Sequence, residues 1–268
     1  MNDSVIGKDY CFCTLALGGK YTGFARDLAM DIAKYFPGVK FVVLTDKPAG
    51  LSTFDNVLAF RHKAVFPLFP FNDKVFVFKK ALSLFSTAIY LDADSRILSP
   101  LPPNINWPEG IITPCDVRRN MSTHCDKFYP QVRALLEKLH RKLKINVALE
   151  NCFYPIPCQT VVTRDSGKEA VFLEIWEKAA RYLAVHRCKN VMEGYAMGLA
   201  MAKTGWEPLI NKNQEILAKA VNHFGAQAEI KNMINKSKRK KMVLRLNYWK
   251  DWFCIWLHSL RDPKFYYW

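Results

Sequence analysis

Residues 10–46 read YCFCTLALGGKYTGFARDLAMDIAKYFPGVKFVVLTD, and their pattern indicates the class of fold. The apolar run at residues 10–17 predicts a buried strand, which the glycine pair after it ends. Apolar side chains then recur at helical spacing through residues 22–36, and Pro37-Gly38 ends that predicted helix. Residues 40–44 predict the next strand. Because strand, helix and strand follow in this order, we expect an α/β domain built on a parallel sheet.

The chain continues to alternate between strands and helices. Further strands are predicted at residues 57–60, 88–91, 110–113 and 159–163. Further helices are predicted at residues 74–85, 132–139, 168–183 and 193–203. From residue 236 the sequence becomes basic and then strongly aromatic. We therefore expect a main domain at residues 1–235, with a mostly parallel, Rossmann-like central sheet flanked by helices, and a C-terminal amphipathic helical appendage at residues 236–268.

Composition excludes some classes of protein. Half of the 268 residues are hydrophobic, so the chain is not intrinsically disordered. No apolar run reaches the roughly 18 residues of a membrane-spanning helix, and the first residues lack the pattern of a secretory signal. The eight cysteines form no C-x-x-C pair, so we expect reduced thiols in a cytoplasmic setting. The net charge of +15 indicates an anionic partner: nucleic acid, an anionic membrane or a phosphorylated substrate.

The segment AIYLDADSRIL, residues 88–98, carries the chemistry. Asp92 and Asp94 directly follow an apolar strand, where open α/β sheets bind their ligands. Two carboxylates are costly there unless a positive charge neutralises them, and oxygen ligands of this kind suit hard divalent cations. Such a cation can bridge a diphosphate and stabilise it as a leaving group. The alternative is a turn in which Asp92 caps the next segment.

This D-x-D motif, together with residues 14–48, resembles the nucleotide-sugar-dependent glycosyltransferases of the GT-A fold. The opening is most similar to the family that includes the blood-group transferases. The resemblance implies a GT-A catalytic domain, Mn²⁺ or Mg²⁺ bound by Asp92 and Asp94, and a UDP-sugar as donor. It also implies transfer to a hydroxyl group of a glycan or lipid-linked acceptor, and it favours a retaining reaction.

The same resemblance implies a donor site. The nucleotide is expected to lie against the first strand and the turn after it, mainly through backbone contacts, and Asp92 is expected to contact the donor as well as the metal. The pair Lys79-Lys80 resembles the basic pair that approaches the donor in this family, where an ammonium near the diphosphate is favourable. We expect one of these two lysines to be functional. The nucleotide-contacting residues implied are Leu15, Ala16, Leu17 and Tyr21.

Four further site residues are expected. Residues 220–229, AVNHFGAQAE, resemble the segment of glycogenin-type and lipooligosaccharide galactosyltransferases whose histidine completes the metal shell, which implies His223 as third ligand. The alternative is a structural histidine. Glu193 opens a helix whose acidic start faces the donor sugar in GT-A enzymes, so it is the candidate catalytic carboxylate; the alternative is a favourable acidic residue in a first helical turn. Gln159 is expected to bind the donor sugar and Asp116 the sugar or acceptor hydroxyls.

The appendage has its own pattern. Residues 236–241 read KSKRKK, and apolar side chains then recur at helical spacing. A basic run before a tryptophan-rich amphipathic helix is typical of peripheral binding to an anionic membrane, here on the cytoplasmic face. The alternative is that the aromatic stripe packs on the main domain. The residues of the stripe are Leu244, Tyr248, Trp252, Phe253, Trp256, Leu257 and Leu260.

Two other functions compete with sugar transfer. A phosphatase of the haloacid dehalogenase type also carries D-x-D after an apolar strand, and Asp92 would be its nucleophile. That motif normally lies on the first strand, whereas here it follows the fourth predicted strand. A basic nucleic-acid-binding protein is supported by charge alone, without a recognisable motif, so no nucleic acid is expected as partner.

Overall fold

A computed structural model describes residues 9–66, 69–186, 188, 192–209, 212–223, 249 and 252–267, except for the side chains of residues 115–119 and 192. The strands in this part of the chain are β1 (Tyr10–Ala16), β2 (Lys40–Thr45), β3 (Val57–Arg61), β4 (Thr87–Leu91), β5 (Ser95–Ile97), β6 (Gly110–Ile112), β7 (Cys115–Asn120), β8 (Phe153–Pro155), β9 (Gln159–Thr163) and β10 (Val221–His223).

The helices are α1 (Gly19–Tyr35), α2 (Lys74–Leu82), α3 (Met121–Phe128), α4 (Arg133–Lys142), α5 (Lys168–Val185), α6 (Met192–Thr204), α7 (Lys212–Ala220), α8 (residues 252–259) and α9 (Pro263–Tyr266). Short 3₁₀ turns lie at Pro48–Leu51, Pro70–Asp73, Pro130–Val132 and Leu149–Asn151. The predicted strands and helices of residues 10–204 are confirmed, with their ends shifted by a few residues. The short strands β5, β7, β8 and β10 and the helices α3 and α7 were not predicted.

Six of these strands form one mixed sheet in the order β3-β2-β1-β4-β9-β6. β1, β2, β3 and β4 pair in parallel, whereas β9 runs antiparallel to both of its neighbours. The expectation of an α/β domain with a mostly parallel, Rossmann-like sheet is therefore confirmed. Since β9 is reversed, its first residue, Gln159, lies opposite Leu91 at the end of β4. The ends of β1, β2 and β4 and the start of β9 thus share one edge of the sheet.

Alternate side chains of each central strand enter two different cores, as the pleat of a strand requires. One core lies between the sheet and α1 and includes Phe12, Leu28 and Ile89. The other lies between the opposite face and helices α2, α5 and α6, and includes Tyr90 and Trp176. Helices therefore cover both faces of the sheet.

Helix α6 lies unusually close to β8 because glycine occurs twice on one of its faces. A Cβ atom on Gly194 would lie 2.7 Å from Cε2 of Tyr154, and one on Gly198 would overlap the Phe153 carbonyl oxygen. Residues four apart lie on one side of a helix, so both glycines face β8 together. This approach sets Glu193 beside Tyr154 at the sheet edge.

The described end of the appendage packs against α5 with one face. Ile255 and Tyr266 are buried within the same core as Trp176. Nε1 of Trp252 donates a hydrogen bond of 3.3 Å to the carbonyl oxygen of Val185. The expected boundary at residues 235–236, and the basic run after it, lie outside the described residues. Among the helices that the structure describes, none has the length and apolar character needed to span a bilayer.

The close packing of α6 on β8 predicts the effect of a single methyl group. Gly198→Ala should lower the free energy of unfolding by about 1–3 kcal/mol, as overpacking does in close-packed interiors. Gly23→Ala is the matched control, because Gly23 lies in α1 with open space around its Cα. Alanine there should be neutral or stabilising by up to about 1 kcal/mol. Urea denaturation measures both, and equal stabilities would contradict the close approach.

Candidate metal centre and adjoining cavity

The D-x-D motif forms a tight turn directly after β4. The backbone N–H of Asp92 donates a 3.3 Å hydrogen bond to the carbonyl oxygen of Cys158, and that of Ser95 donates one of 2.9 Å to the carbonyl oxygen of Asp92. Asp94 is 9% exposed, and Asp92 is partly exposed. The turn therefore places both carboxylates at the edge of the sheet where β4 ends.

His223 reaches the motif through a two-stranded antiparallel ribbon. β10 pairs with β5, and His223 lies opposite Ser95. β5 in turn is fixed on α1, because the Asp31 carboxylate accepts hydrogen bonds from Nε and Nη2 of Arg96 at 2.6 and 2.8 Å. The backbone N–H of Ile97 donates to the same carboxylate at 3.1 Å. This anchoring brings a histidine from far along the chain beside the two aspartates.

Asp92, Asp94 and His223 form a group that could hold a metal ion. Nε2 of His223 lies 3.2 Å from Oδ1 of Asp94 and 3.4 Å from Oδ2 of Asp92, and one ligand atom from each residue falls within 4.8 Å of the others. Two carboxylate oxygens and one imidazole nitrogen suit Mn²⁺ and related divalent cations. Hydrogen bonds to Asp92 and Asp94 raise the pKa of His223 to about 10. A proton therefore lies among these ligand atoms, and cation binding must release it.

A buried lysine lies on the other side of Asp92. Nζ of Lys74 lies 2.9 Å from Oδ1 of Asp92 and 3.1 Å from Oε1 of Glu193. It also donates a 3.0 Å hydrogen bond to the carbonyl oxygen of Pro157. The ammonium thus lies within 3.1 Å of three oxygen atoms, two of them on carboxylates, and such neighbours are the condition for keeping a cation inside a protein. The hydroxyl of Tyr90 donates to the same Asp92 oxygen at 3.1 Å.

Lys74, and neither Lys79 nor Lys80, is the lysine that lies beside the D-x-D motif. Nζ of Lys79 pairs with Glu177 at 2.5 Å, and Nζ of Lys80 lies 4.1 Å from the centre of the Phe60 ring. Neither side chain lines the cavity. The physical reason is helical geometry: Lys74 shares the inward face of α2 with the buried residues four and seven positions later, whereas positions 79 and 80 fall on its sides. A lysine on the apolar face of a predicted helix was the signal that sequence reasoning missed.

The charges around Lys74 move the pKa values of its neighbours in opposite directions. Burial raises the pKa of Glu193 to about 8, because the opposing effect of Lys74 is the weaker one and Asp92 adds to the rise. Burial would also raise the pKa of Asp92, but Lys74 and His223 outweigh it and hold that pKa below its usual value. The pKa of Lys74 lies above its usual range, since Asp92 and Glu193 overcome the effect of burial. Glu193 can therefore exchange a proton near neutral pH.

A cavity with a volume of about 510 cubic Å adjoins the three ligand residues. One end carries the polar groups: Lys74, Asp92, Asp94, Glu193 and His223. The other walls are apolar or aromatic and include Leu15, Leu17, Tyr21, Phe71, Tyr154 and Ile156. A mostly apolar cavity with a few convergent polar groups is the usual form of a small-molecule site.

The remaining predicted site residues lie in different places. Leu15, Leu17 and Tyr21 line the cavity, whereas Ala16 is fully buried in the core between the sheet and α1. Nε2 of Gln159 donates to the carbonyl oxygen of Val221, at 3.4 Å, which ties β9 to the strand of His223. Asp116 lies in β7, and its side chain is outside the described part of the chain. The structure thus brings together the predicted metal ligands and Glu193, and adds Lys74.

Comparison with models of known protein families gave no match, and comparison with curated proteins found no relative. What this chain does must therefore be inferred from its own residues and their geometry.

Removing the buried ammonium should destabilise the protein. Lys74→Met leaves Asp92 and Glu193 without their shared cation, and breaking a buried ion pair of this kind costs about 3–5 kcal/mol. Lys79→Met is the matched control, because the pair of Lys79 with Glu177 is partly exposed and such pairs contribute less than about 1 kcal/mol. Chemical denaturation measures both free energies of unfolding. If Lys79→Met proved as costly as Lys74→Met, the central role of Lys74 would be wrong.

Proposed function

We propose that this protein is a metal-dependent glycosyltransferase of the GT-A type. In this proposal it transfers a sugar from a nucleotide-sugar, a UDP-sugar, to a hydroxyl group of a glycan or lipid-linked acceptor. The observation that supports the proposal best is the convergence of Asp92, Asp94 and His223 beside a cavity that also contains Glu193. These four residues come from three separate parts of the chain and meet at the edge of the sheet where α/β domains bind ligands.

The metal site fits the proposed donor. Asp92, Asp94 and His223 would hold Mn²⁺ or Mg²⁺, which when bound would neutralise the charge of the donor diphosphate as it leaves. Lys74 binds one oxygen of Asp92 and so leaves the other oxygen facing Asp94 and His223. In this way the lysine orients a ligand.

The apolar part of the cavity fits the rest of the donor and the acceptor. Leu15 lies near the end of β1, and Leu17 and Tyr21 follow the strand; together they present an apolar wall against which a nucleotide base can pack. Phe71 and Tyr154 present aromatic rings to the same cavity. The volume of the cavity lies within the range of about 300–1,000 cubic Å that is usual for ligand pockets.

Glu193 is the residue we propose for the acid–base or nucleophilic role. Its carboxyl group lines the cavity and contacts Lys74. With a pKa of about 8, it suits proton transfer near neutral pH. In an inverting reaction it would take the proton of the acceptor hydroxyl. In a retaining reaction, which the family resemblance favours, it would stabilise or attack the oxocarbenium-like centre.

Thermal stabilisation by UDP-sugars with and without Mn²⁺ tests the proposal. For a ligand at about 100 times its Kd, the stabilisation is about 2.7 kcal/mol, or roughly 5–10 °C in Tm for a domain of this size. The shift should require the metal and should vanish in Asp94→Ala and His223→Ala. Asp55→Asn, an exposed aspartate after β2, is the matched control and should retain it.

Two outcomes would overturn the proposal. One is a shift with UDP-sugar that persists in Asp94→Ala. The other is the absence of any response to nucleotides together with hydrolysis of simple phosphate esters that Asp92→Asn abolishes, which would indicate the phosphatase with Asp92 as nucleophile.

Binding and chemistry should separate at Glu193. Glu193→Gln keeps the shape of the side chain but removes its proton transfer and its charge. We expect the metal-dependent shift with UDP-sugar to persist, while turnover falls about 10²–10⁴-fold, the usual contribution of a positioned acid or base. Donor hydrolysis or transfer assays give the rate. Turnover within a few-fold of wild type would exclude Glu193 from the chemistry.

A further inference from the structure

A strip of large apolar side chains lies on the outward face of the C-terminal helical segment. Phe253 and Leu257 lie four residues apart on one face of α8, and Trp249 and Leu260 lie outside the bounds of α8 at helical spacing from them. Each is about half exposed: Trp249 54%, Phe253 50%, Leu257 46% and Leu260 46%. We call these four residues the outer strip. Contiguous exposed apolar side chains of this kind mark an interaction surface more often than scattered single ones do.

The helix that carries the outer strip is already docked by its opposite face. Ile255 and Ser259 are 3% and 2% exposed, and Ile255 belongs to the main core. The C-terminal residues are further fixed because Nε2 of His186 lies 2.9 Å from the carbonyl oxygen of Tyr266. The inner face of the helix therefore packs on the main domain, as the alternative interpretation of the aromatic stripe expected. The outer strip lies on the side of the segment away from that contact, and its side chains remain about half exposed to solvent.

The surroundings of the outer strip are basic. Arg261 and Lys264 are exposed directly after it. Lys142 on α4 reaches the same segment, where its Nζ donates a 3.0 Å hydrogen bond to the carbonyl oxygen of Lys264. The nearby carboxylate of Asp262 lies 3.5 Å from Nζ of Lys178. In the sequence, five of the six residues at 236–241 are lysine or arginine.

Charge and shape together favour one occupant. A second copy of the chain would bring another net charge of +15 against the same basic region, which opposes pairing. An anionic bilayer surface matches both the apolar outer strip and the basic residues around it. Its interface accepts tryptophan, phenylalanine and leucine side chains, and its negative charge attracts the surrounding cations.

We propose that the outer strip inserts into the interface of an anionic phospholipid membrane and holds the protein there without spanning it. The helix would lie in the plane of the surface, with Arg261 and Lys264 against the lipid headgroups. This proposal rests on the C-terminal segment alone and stands whether or not the protein transfers sugars.

Sedimentation of the full chain with vesicles tests the proposal. Vesicles of phosphatidylcholine mixed with phosphatidylglycerol should bind the protein more strongly than phosphatidylcholine alone, and high salt should weaken the binding. The double substitution Phe253→Ser with Leu257→Ser should lower the partition coefficient at least about tenfold. The matched control is Met30→Ser with Leu84→Ser, which removes two side chains of similar exposure elsewhere.

Folding and self-association can be measured on the same proteins. Thermal melting should show both double variants folded, because all four side chains are about half exposed. Brominated lipid should quench the tryptophan fluorescence of the wild type, and less so that of Trp249→Phe. Equal vesicle binding by the two double variants would overturn the proposal. So would a wild-type dimer that Phe253→Ser with Leu257→Ser dissociates, which would make a second copy the occupant.

Discussion

The buried ammonium of Lys74 is the interaction on which the site depends. It joins three parts of the chain: Asp92 after β4, the Pro157 carbonyl before β9, and Glu193 at the start of α6. A buried cation is costly without acceptors, and two largely desolvated carboxylates close to one another are costly without a cation. Each group is therefore tolerated because of the others. The two carboxylate oxygens of Asp92 therefore have different neighbours: Oδ1 lies beside Lys74, and Oδ2 faces Asp94 and His223.

Two structural constraints bring the other groups to this centre. Gly194 and Gly198 allow α6 to lie against β8, and so place Glu193 within reach of Lys74. The carboxylate of Asp31 on α1 fixes β5, which pairs with the strand of His223. Neither constraint involves a residue that we propose as a metal ligand or as the acid–base group. The site is thus assembled by contacts between elements that are distant in the sequence, which explains why its polar residues are spread over so much of the chain.

The order of strands and helices could be predicted because it depends on local periodicity. The alternation of β1, α1 and β2 is visible in apolar spacing and in the Pro37-Gly38 stop, and the position of D-x-D after an apolar strand could be inferred in the same way. Strands β5 and β10, of three residues each, are too short to show a period, so their pairing was beyond sequence reasoning. His223 was expected only from a family resemblance.

Lys74 and the C-terminal helix show a second limit of the sequence. Periodicity shows which residues share a face of a helix, but not what that face contacts. Lys79-Lys80 was chosen for its resemblance, although the inward face of α2 passes through Lys74. Leu244 and Tyr248 of the aromatic stripe lie outside the described residues, and the described rest of the appendage has an inner face that packs on α5 and an outer face that does not. Which lysine of α2 lies at the site, and which face of the C-terminal helix is buried, both depend on tertiary packing.

A crystal structure of the full chain with Mn²⁺ and UDP would test the central claim most directly, through the anomalous scattering of manganese. We expect one anomalous peak between Oδ2 of Asp92, Oδ1 of Asp94 and Nε2 of His223, with the diphosphate of UDP on its open side and the uracil against the wall formed by Leu15, Leu17 and Tyr21. A peak elsewhere, or UDP bound outside this cavity, would contradict the account.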